Sequence, residues 1–299
     1  MSLPLSFAPP RLDPVDSQLL RDSDVILHVL RLDLIHPFVC GNKWFKLKYN
    51  LLHAQERNIR TVLSFGGAYS TPLYALAAAG NHLGLQTIGV VRGELVEPLN
   101  PIMDFARSQG MQLVPVSRAA YRHKTEDQFI EGLHQQFGDF HLIPEGGSNA
   151  LAIAGCAEIA DLLDWQTARA QRCVALACGT GATLAGLVGG LHSGGYRPQP
   201  SVLGIGVINA PSLLQQEVRR WLPEACELPW SIVETYHGGG YAKVPPVLAD
   251  FLKVFARFSA IPLEPVYTGK LMLGLFDLIK QRKIAPGSEV IAVHTGGVY

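Results

Sequence analysis

Short runs of β-branched and aliphatic residues recur along the chain: TVLSF (61–65), QTIGVV (86–91), MQLVPV (111–116), HLIPE (141–145), CVALA (173–177), SVLGIGVI (201–208) and EVIAVH (289–294). Their length and lack of polar alternation predict buried strands. Between them lie stretches whose apolar positions recur at three and four residues, such as LYALAAAGNHLG (73–84) and EDQFIEGLHQQFG (126–138), which predict helices. Strand alternating with helix implies parallel sheets joined by crossover helices, and the fold class is α/β.

No repeat, low-complexity tract or charge run marks a linker. The four runs between 61 and 145 suit one small sheet. The runs after 170, with the early segment ILHVLRLDLI (26–35), suit a second. The expected organisation is a large domain of residues 1–50 and 158–299 carrying an inserted small domain, 51–157. The expected ligand site is a cleft between the two open sheets, at the carboxyl ends of the strands.

Composition narrows the classes. Hydrophobic residues make up 48% and charged residues 17%, enough apolar matter for a substantial core. Lys plus Arg (25) balance Asp plus Glu (25), so no general field draws a polyanion, and nucleic acid is not an expected partner. The beginning, MSLPLSFAPPRLDP, lacks a basic region followed by an apolar run, and no uncharged apolar stretch reaches membrane-spanning length, which predicts a cytoplasmic protein without membrane partners. Five scattered cysteines without a C-x-x-C pair fit a reducing compartment, and the ten histidines show no metal-ligand spacing.

Candidate chemistry sits on loops that follow strands. In ALACGTGATLAGLVGGL (175–191), glycines precede a helix start, which suits a phosphate or, equally, a tight strand-to-helix turn. Ala182 stands where a P-loop needs Lys. Leu184 stands where a dinucleotide fingerprint wants Gly or Ala, and no carboxylate ends the next strand, so a redox-nucleotide reading ranks last. In SFGGAYSTPLYALAAAG (64–80), Ser70 and Thr71 fall at a helix N-cap with Pro72 in the first turn. Ordinary capping accounts for them, and a carboxylate held by amides and hydroxyls is the alternative. Two further loops, EPVYTGK (264–270) and VHTGG (293–297), carry hydroxyl residues beside glycine.

The segment GNKWFKLKYNLLHAQERN (41–58) reads as a helix with Trp44, Leu47 and Leu51 on its buried stripe and Lys43 and Lys46 on another face. Asn42 is its expected N-cap. Lys43 then lies in the first turn, where the helix dipole and Lys46 both disfavour an ammonium, and burial adds to this. A solvated basic face is the common reading of such lysines. A primed amine together with an anion cradle and a carboxylate site is instead the set that pyridoxal phosphate needs.

GNK-x-x-KL, SFGGAYS, PEGGSN, CGTGAT, PVYTGK and HTGG, in this order across nearly the whole chain, resemble the 1-aminocyclopropane-1-carboxylate deaminase and D-cysteine desulfhydrase family. The resemblance implies two open, mainly parallel sheets with flanking helices, the tryptophan synthase β-like fold of pyridoxal phosphate fold type II. It implies that Lys43 carries the cofactor as a Schiff base and that Lys46 lies near its phosphate. The loop Cys178, Gly179, Thr180, Gly181, Ala182 and Thr183 would bind that phosphate. Ser70 with its neighbour Thr71 would receive the substrate carboxylate, and Tyr267 would stand over the reacting carbons. The loop YHGGGYAKVP (236–245) makes Tyr241 a further substrate contact. A homodimer is also implied.

Two departures bear on substrate. Thr268 stands where the ring-opening deaminases carry Glu, and Thr295 where they carry Leu; hydroxyls at both places resemble the desulfhydrase branch. A hydroxyl partner leaves the pyridine nitrogen nearly neutral, which suffices for loss of a good leaving group. Thr71 and Pro72 replace the family's usual Asn, with Thr71 supplying a hydroxyl and Pro72 removing an amide. The expected activity is α,β-elimination on a small amino acid such as D-cysteine. Lys43 is the base, with Ser70 or Tyr267 on the opposite face. The alternatives are deamination of 1-aminocyclopropane-1-carboxylate, or cofactor binding without turnover.

Overall fold

The structure, a computed structural model, describes residues 3–165 and 171–297. Ten strands lie among these: β1 (Arg11–Val15), β2 (Ile26–Arg31), β3 (Thr61–Gly67), β4 (Gln86–Arg92), β5 (Gln112–Val116), β6 (His141–Ile143), β7 (Arg172–Cys178), β8 (Ser201–Gly206), β9 (Trp230–Val233) and β10 (Glu289–His294). The chain divides into two compact units, Met1–Phe7 with Lys43–Ala152, and Ala8–Asn42 with Ile153–Tyr299. One division falls between Asn42 and Lys43, at the start of the helix Asn42–Glu56. Buried positions Leu47, Asn50, Leu51 and Ala54 continue that helix's inner face past residue 50, so all of it from Lys43 onward lies in the first unit.

The first unit holds a four-stranded sheet in the order β5-β4-β3-β6, parallel throughout. Its strands lack polar alternation because helices cover them. Leu63, Phe65, Ile88 and Val90 pack with Tyr121, Leu133 and Phe140. β6 is short because Pro144 has no N–H to continue the ladder and leads into a 3-10 turn, Glu145–Gly147.

The second unit holds a six-stranded sheet in the order β1-β2-β10-β7-β8-β9. All pairs are parallel except β1 with β2. β10 lies inside the sheet and is buried at all six positions, as expected for a strand covered on both faces. The edge strands β1 and β9 were absent from the pattern reading. RLDPV is largely exposed and contains Pro14, which an edge tolerates, and WSIV is only four residues long. The α/β class with two mainly parallel sheets is therefore what the hydrophobic runs predicted. Among the described residues, no helix is long and apolar enough to cross a membrane.

Candidate active site

In the second unit, β7 ends at Cys178 and the chain turns through Gly179, Thr180 and Gly181 into the helix Ala182–Gly194. Gly181 is the N-cap, in the left-handed region at φ +83°, and gives that helix no side-chain cap. The first turn is buried all the same, with Ala182, Thr183 and Leu184 at most 6% exposed. A helix start whose amides lack a side-chain acceptor, in a buried position, attracts an anion through its N–H groups and its dipole. Cys178 is buried beneath this turn and Thr180 is exposed upon it.

Asn42 does not cap its own helix. Its Nδ2 donates to Thr183 Oγ1 at 2.8 Å, while its buried Oδ1 has no partner. The backbone explains the change of role: Asn42 N–H donates to Thr295 O at 3.3 Å, and Gly41 N–H to Leu32 O at 2.7 Å. Gly41 passes so close to Thr295 that a Cβ at position 41 would lie 2.1 Å from that carbonyl oxygen. The segment before Lys43 is thereby joined to the turn after β10 and to the helix start at Thr183.

Tyr267, Thr268 and Thr295 also belong to this unit. The ring of Tyr267 lies over Gly179, where an added Cβ would stand 3.3 Å from Cε1, and Tyr241 meets it edge-on with centroids 6.3 Å apart. Thr268 and Thr295 are buried. The Glu264 carboxylate accepts from the N–H groups of Val266, Tyr267 and Thr268 at 2.6–2.8 Å and lies 3.1 Å from Thr268 Oγ1. It thus caps the helix Thr268–Lys280.

Two more groups support this region. His294 Nε2 lies 2.8 Å from Pro262 O, and Gly296 N–H donates to Nδ1 at 3.3 Å, a pairing that suits the neutral ring. Burial pushes the His294 pKa down, against the nearby Asp33 carboxylate. Lys270 is fully buried and donates to the carbonyls of Val207, His237 and Gly240.

In the first unit, Lys43 is 8% exposed in the first turn of its helix. Lys46 Nζ donates to Gly146 O at 2.5 Å, in the PEGGSN loop. Asn50 and Asn149 exchange amide hydrogen bonds at 3.2 and 2.7 Å, and His141 Nε2 lies 2.9 Å from Asn50 Oδ1. The lysine helix is thereby fastened to the loop after β6. Ser70 is the N-cap of the helix Thr71–Leu83: its Oγ accepts from Leu73 N–H at 3.3 Å, with Thr71 and Pro72 following in the first turn.

The residues singled out in the sequence therefore fall into two groups, Lys43, Lys46, Ser70 and Thr71 in the first unit and the remainder in the second. Pattern reading did not single out Glu264, Lys270 or His294. Glu264 had a local signal, an acidic residue four positions before a helix start. The long-range partners of the other two leave none.

Comparison with known proteins adds the decisive observation: the family model for pyridoxal-phosphate dependent enzymes matches residues 24–296. The chain belongs to the pyridoxal-phosphate dependent enzymes. Among curated members of similar sequence is a putative 1-aminocyclopropane-1-carboxylate deaminase from Thermotoga maritima, 30% identical over 91% of this chain and 89% of its own. A relative from Burkholderia multivorans named 1-aminocyclopropane-1-carboxylate deaminase is 27% identical over 86% of this chain and 82% of its own. The crystal structure of an ACC deaminase homologue covers all of this chain and 91% of its own with a TM-score of 0.81; at 24% identity it shows the fold. A fungal L-serine ammonia-lyase from Rhizomucor miehei has the same fold, with a TM-score of 0.67 and 17% identity over all of this chain and 95% of its own.

Members of this family use pyridoxal phosphate, and the residues here fit it. A buried helix start without a side-chain cap suits the phosphate, and Lys43 is a buried amine.

Proposed function

We propose that the chain catalyses α,β-elimination on a small amino acid, D-cysteine or a close relative, with release of pyruvate, ammonia and sulfide. The observation that carries this reading is Thr268, a buried hydroxyl in the first turn after Tyr267, where a ring-opening enzyme of the same family resemblance carries a carboxylate. Pyridoxal phosphate, when bound, supplies an aldehyde that captures an amine and a ring that draws electrons from the substrate's α carbon.

The chain's own groups do the rest. Lys43 is the amine that holds the cofactor. Its Nζ would also be the base that takes the proton from Cα. The first amides of the helix Ala182–Gly194, with Thr183 and the Gly179–Gly181 turn, bind the phosphate, and Lys46 adds a positive charge. Ser70 and Thr71 take the substrate carboxylate, and Tyr241 and Tyr267 face its side chain. Loss of the Cα proton and breaking of the Cβ–S bond release hydrogen sulfide and leave an enamine. One water converts that enamine to pyruvate and ammonia.

A second reading, ring opening of 1-aminocyclopropane-1-carboxylate, is favoured by the names of the relatives and by Glu264, whose carboxylate lies one hydrogen bond from the Thr268 hydroxyl. The two are separated by incubating the loaded protein with D-cysteine, L-cysteine and 1-aminocyclopropane-1-carboxylate and assaying sulfide, pyruvate and 2-oxobutyrate. Sulfide with pyruvate from D-cysteine is the expected result. Formation of 2-oxobutyrate alone would replace the first reading with the second. Lys43→Ala should lose both the cofactor's near-visible absorbance and turnover.

A further inference from the structure

Lys270 combines features that cost stability if packing is its only task. It is fully buried, and no carboxylate lies within ion-pair distance among the described residues. It also stands in the first turn of the helix Thr268–Lys280, at the positive end of the dipole. A methionine would fill the same space without a buried charge.

Its hydrogen bonds explain its presence. An ammonium has three N–H donors, and three carbonyl oxygens surround Nζ: Val207 at 3.2 Å, His237 at 2.7 Å and Gly240 at 2.9 Å. The last two come from a glycine loop whose own bonds, Gly239 N–H to His237 Nδ1, Gly240 N–H to His237 O and Lys243 N–H to Gly240 O, stay within the loop. Gly238, Gly239 and Gly240 have φ values of +66°, +96° and +137°, and a Cβ built on Gly239 or Gly240 would meet nothing within 4 Å. Tyr241 beyond them is 54% exposed. Val207 belongs to the other side of the cage, where its N–H donates to Cys178 O at 3.0 Å, at the end of β7 just before Gly179. Lys270 stands two positions after Thr268 and three after Tyr267.

We propose that Lys270 is a positioning residue whose ammonium gathers the carbonyls of Val207, His237 and Gly240, fixing the glycine loop so that Tyr241 stays against Tyr267 beside the Gly179 turn. This rests on reading Tyr241 and Tyr267 as substrate-facing. It is independent of which amino acid is turned over.

The test begins with unaltered, cofactor-loaded protein. The Gly240 and Lys243 amides, which donate within the loop at 3.2 and 3.3 Å, should be protected from hydrogen exchange; free-peptide exchange there would overturn the proposal, and this measurement needs no variant to fold. In Lys270→Met, exchange over residues 237–243 should rise at least about 10-fold and KM for whichever amino acid the wild type turns over should rise about 10-fold, with kcat changed less than about 3-fold. In Lys270→Ala, n-propylammonium, which replaces the missing methylenes and charge, should restore loop protection and KM. Tetramethylammonium at equal ionic strength should not. Unchanged exchange in Lys270→Met, a fall in kcat with KM unmoved, or an equal response to the two cations would each overturn it. Absence of D-cysteine turnover in the wild type would sink the elimination reading and leave the loop measurement standing.

Discussion

The side-chain amide of Asn42 donates to the hydroxyl of Thr183 at 2.8 Å, so the residue next to Lys43 is joined to the helix start that offers its amides to an anion. Removing either partner leaves a buried polar atom unmatched. A double-mutant cycle of Asn42→Ala and Thr183→Val should return a coupling of about 0.5–1.5 kcal/mol in denaturant unfolding. Asn42→Ala should also retain pyridoxal phosphate about 5- to 10-fold less tightly, read by equilibrium dialysis. Full additivity of the two substitutions would contradict the pairing.

Glu264 serves three backbone amides at the start of the helix that carries Thr268 and Lys270. Glu264→Gln keeps one acceptor and loses the charge and the second acceptor, so a loss of about 1–3 kcal/mol is expected from urea unfolding. A variant as stable as the parent would show that the carboxylate does not cap.

Gly41 and Gly84 have nearly the same left-handed backbone, φ +64° and +65°, in different surroundings. Gly84→Ala has open space and should cost about 1 kcal/mol, the left-handed penalty alone. Gly41→Ala drives a Cβ into the Thr295 carbonyl and should cost more than about 3 kcal/mol or prevent folding. Thermal midpoints of the two variants give the comparison, and equal losses would count against the close approach of Gly41 to Thr295.

His141 is held neutral chiefly by burial, with His53 and Arg57 adding to the effect, and its pKa falls from 6.5 to about 4. The unfolded chain takes up this proton near pH 6.5, the folded chain only near 4. Between those values the unfolded state binds more protons, so stability decreases as pH is lowered and the decrease ends below about 4. His294, also lowered by burial, acts in the same direction. Urea midpoints from pH 7.5 down to 4, scanned as an acid series of about half-unit steps, should show this slope. His141→Gln should flatten it in part. A slope unaffected by that substitution would assign the acid sensitivity elsewhere.

Legibility followed the distance between partners. The Ser70 cap was readable because its acceptor and donor stand three residues apart, and the Gly181 turn because glycine before a helix is a local signal. Edge strands β1 and β9 left too weak a pattern, being short and partly exposed. The local rule, Asn at a helix start as its cap, fails at Asn42 because a partner 141 residues away takes its side chain.

The amino-acid sequence alone determined the alternation of strand and helix, and hence the α/β class. It also set the glycine turn before Ala182 and placed Lys43 at a helix start, since each depends on neighbours within a few positions. The tertiary structure decided what those elements hold on to. Asn42 went to Thr183, and the Lys270 ammonium to carbonyls 63, 33 and 30 residues away. Burial made those bonds obligatory, because a polar atom removed from water takes whichever partner the packed chain brings within reach.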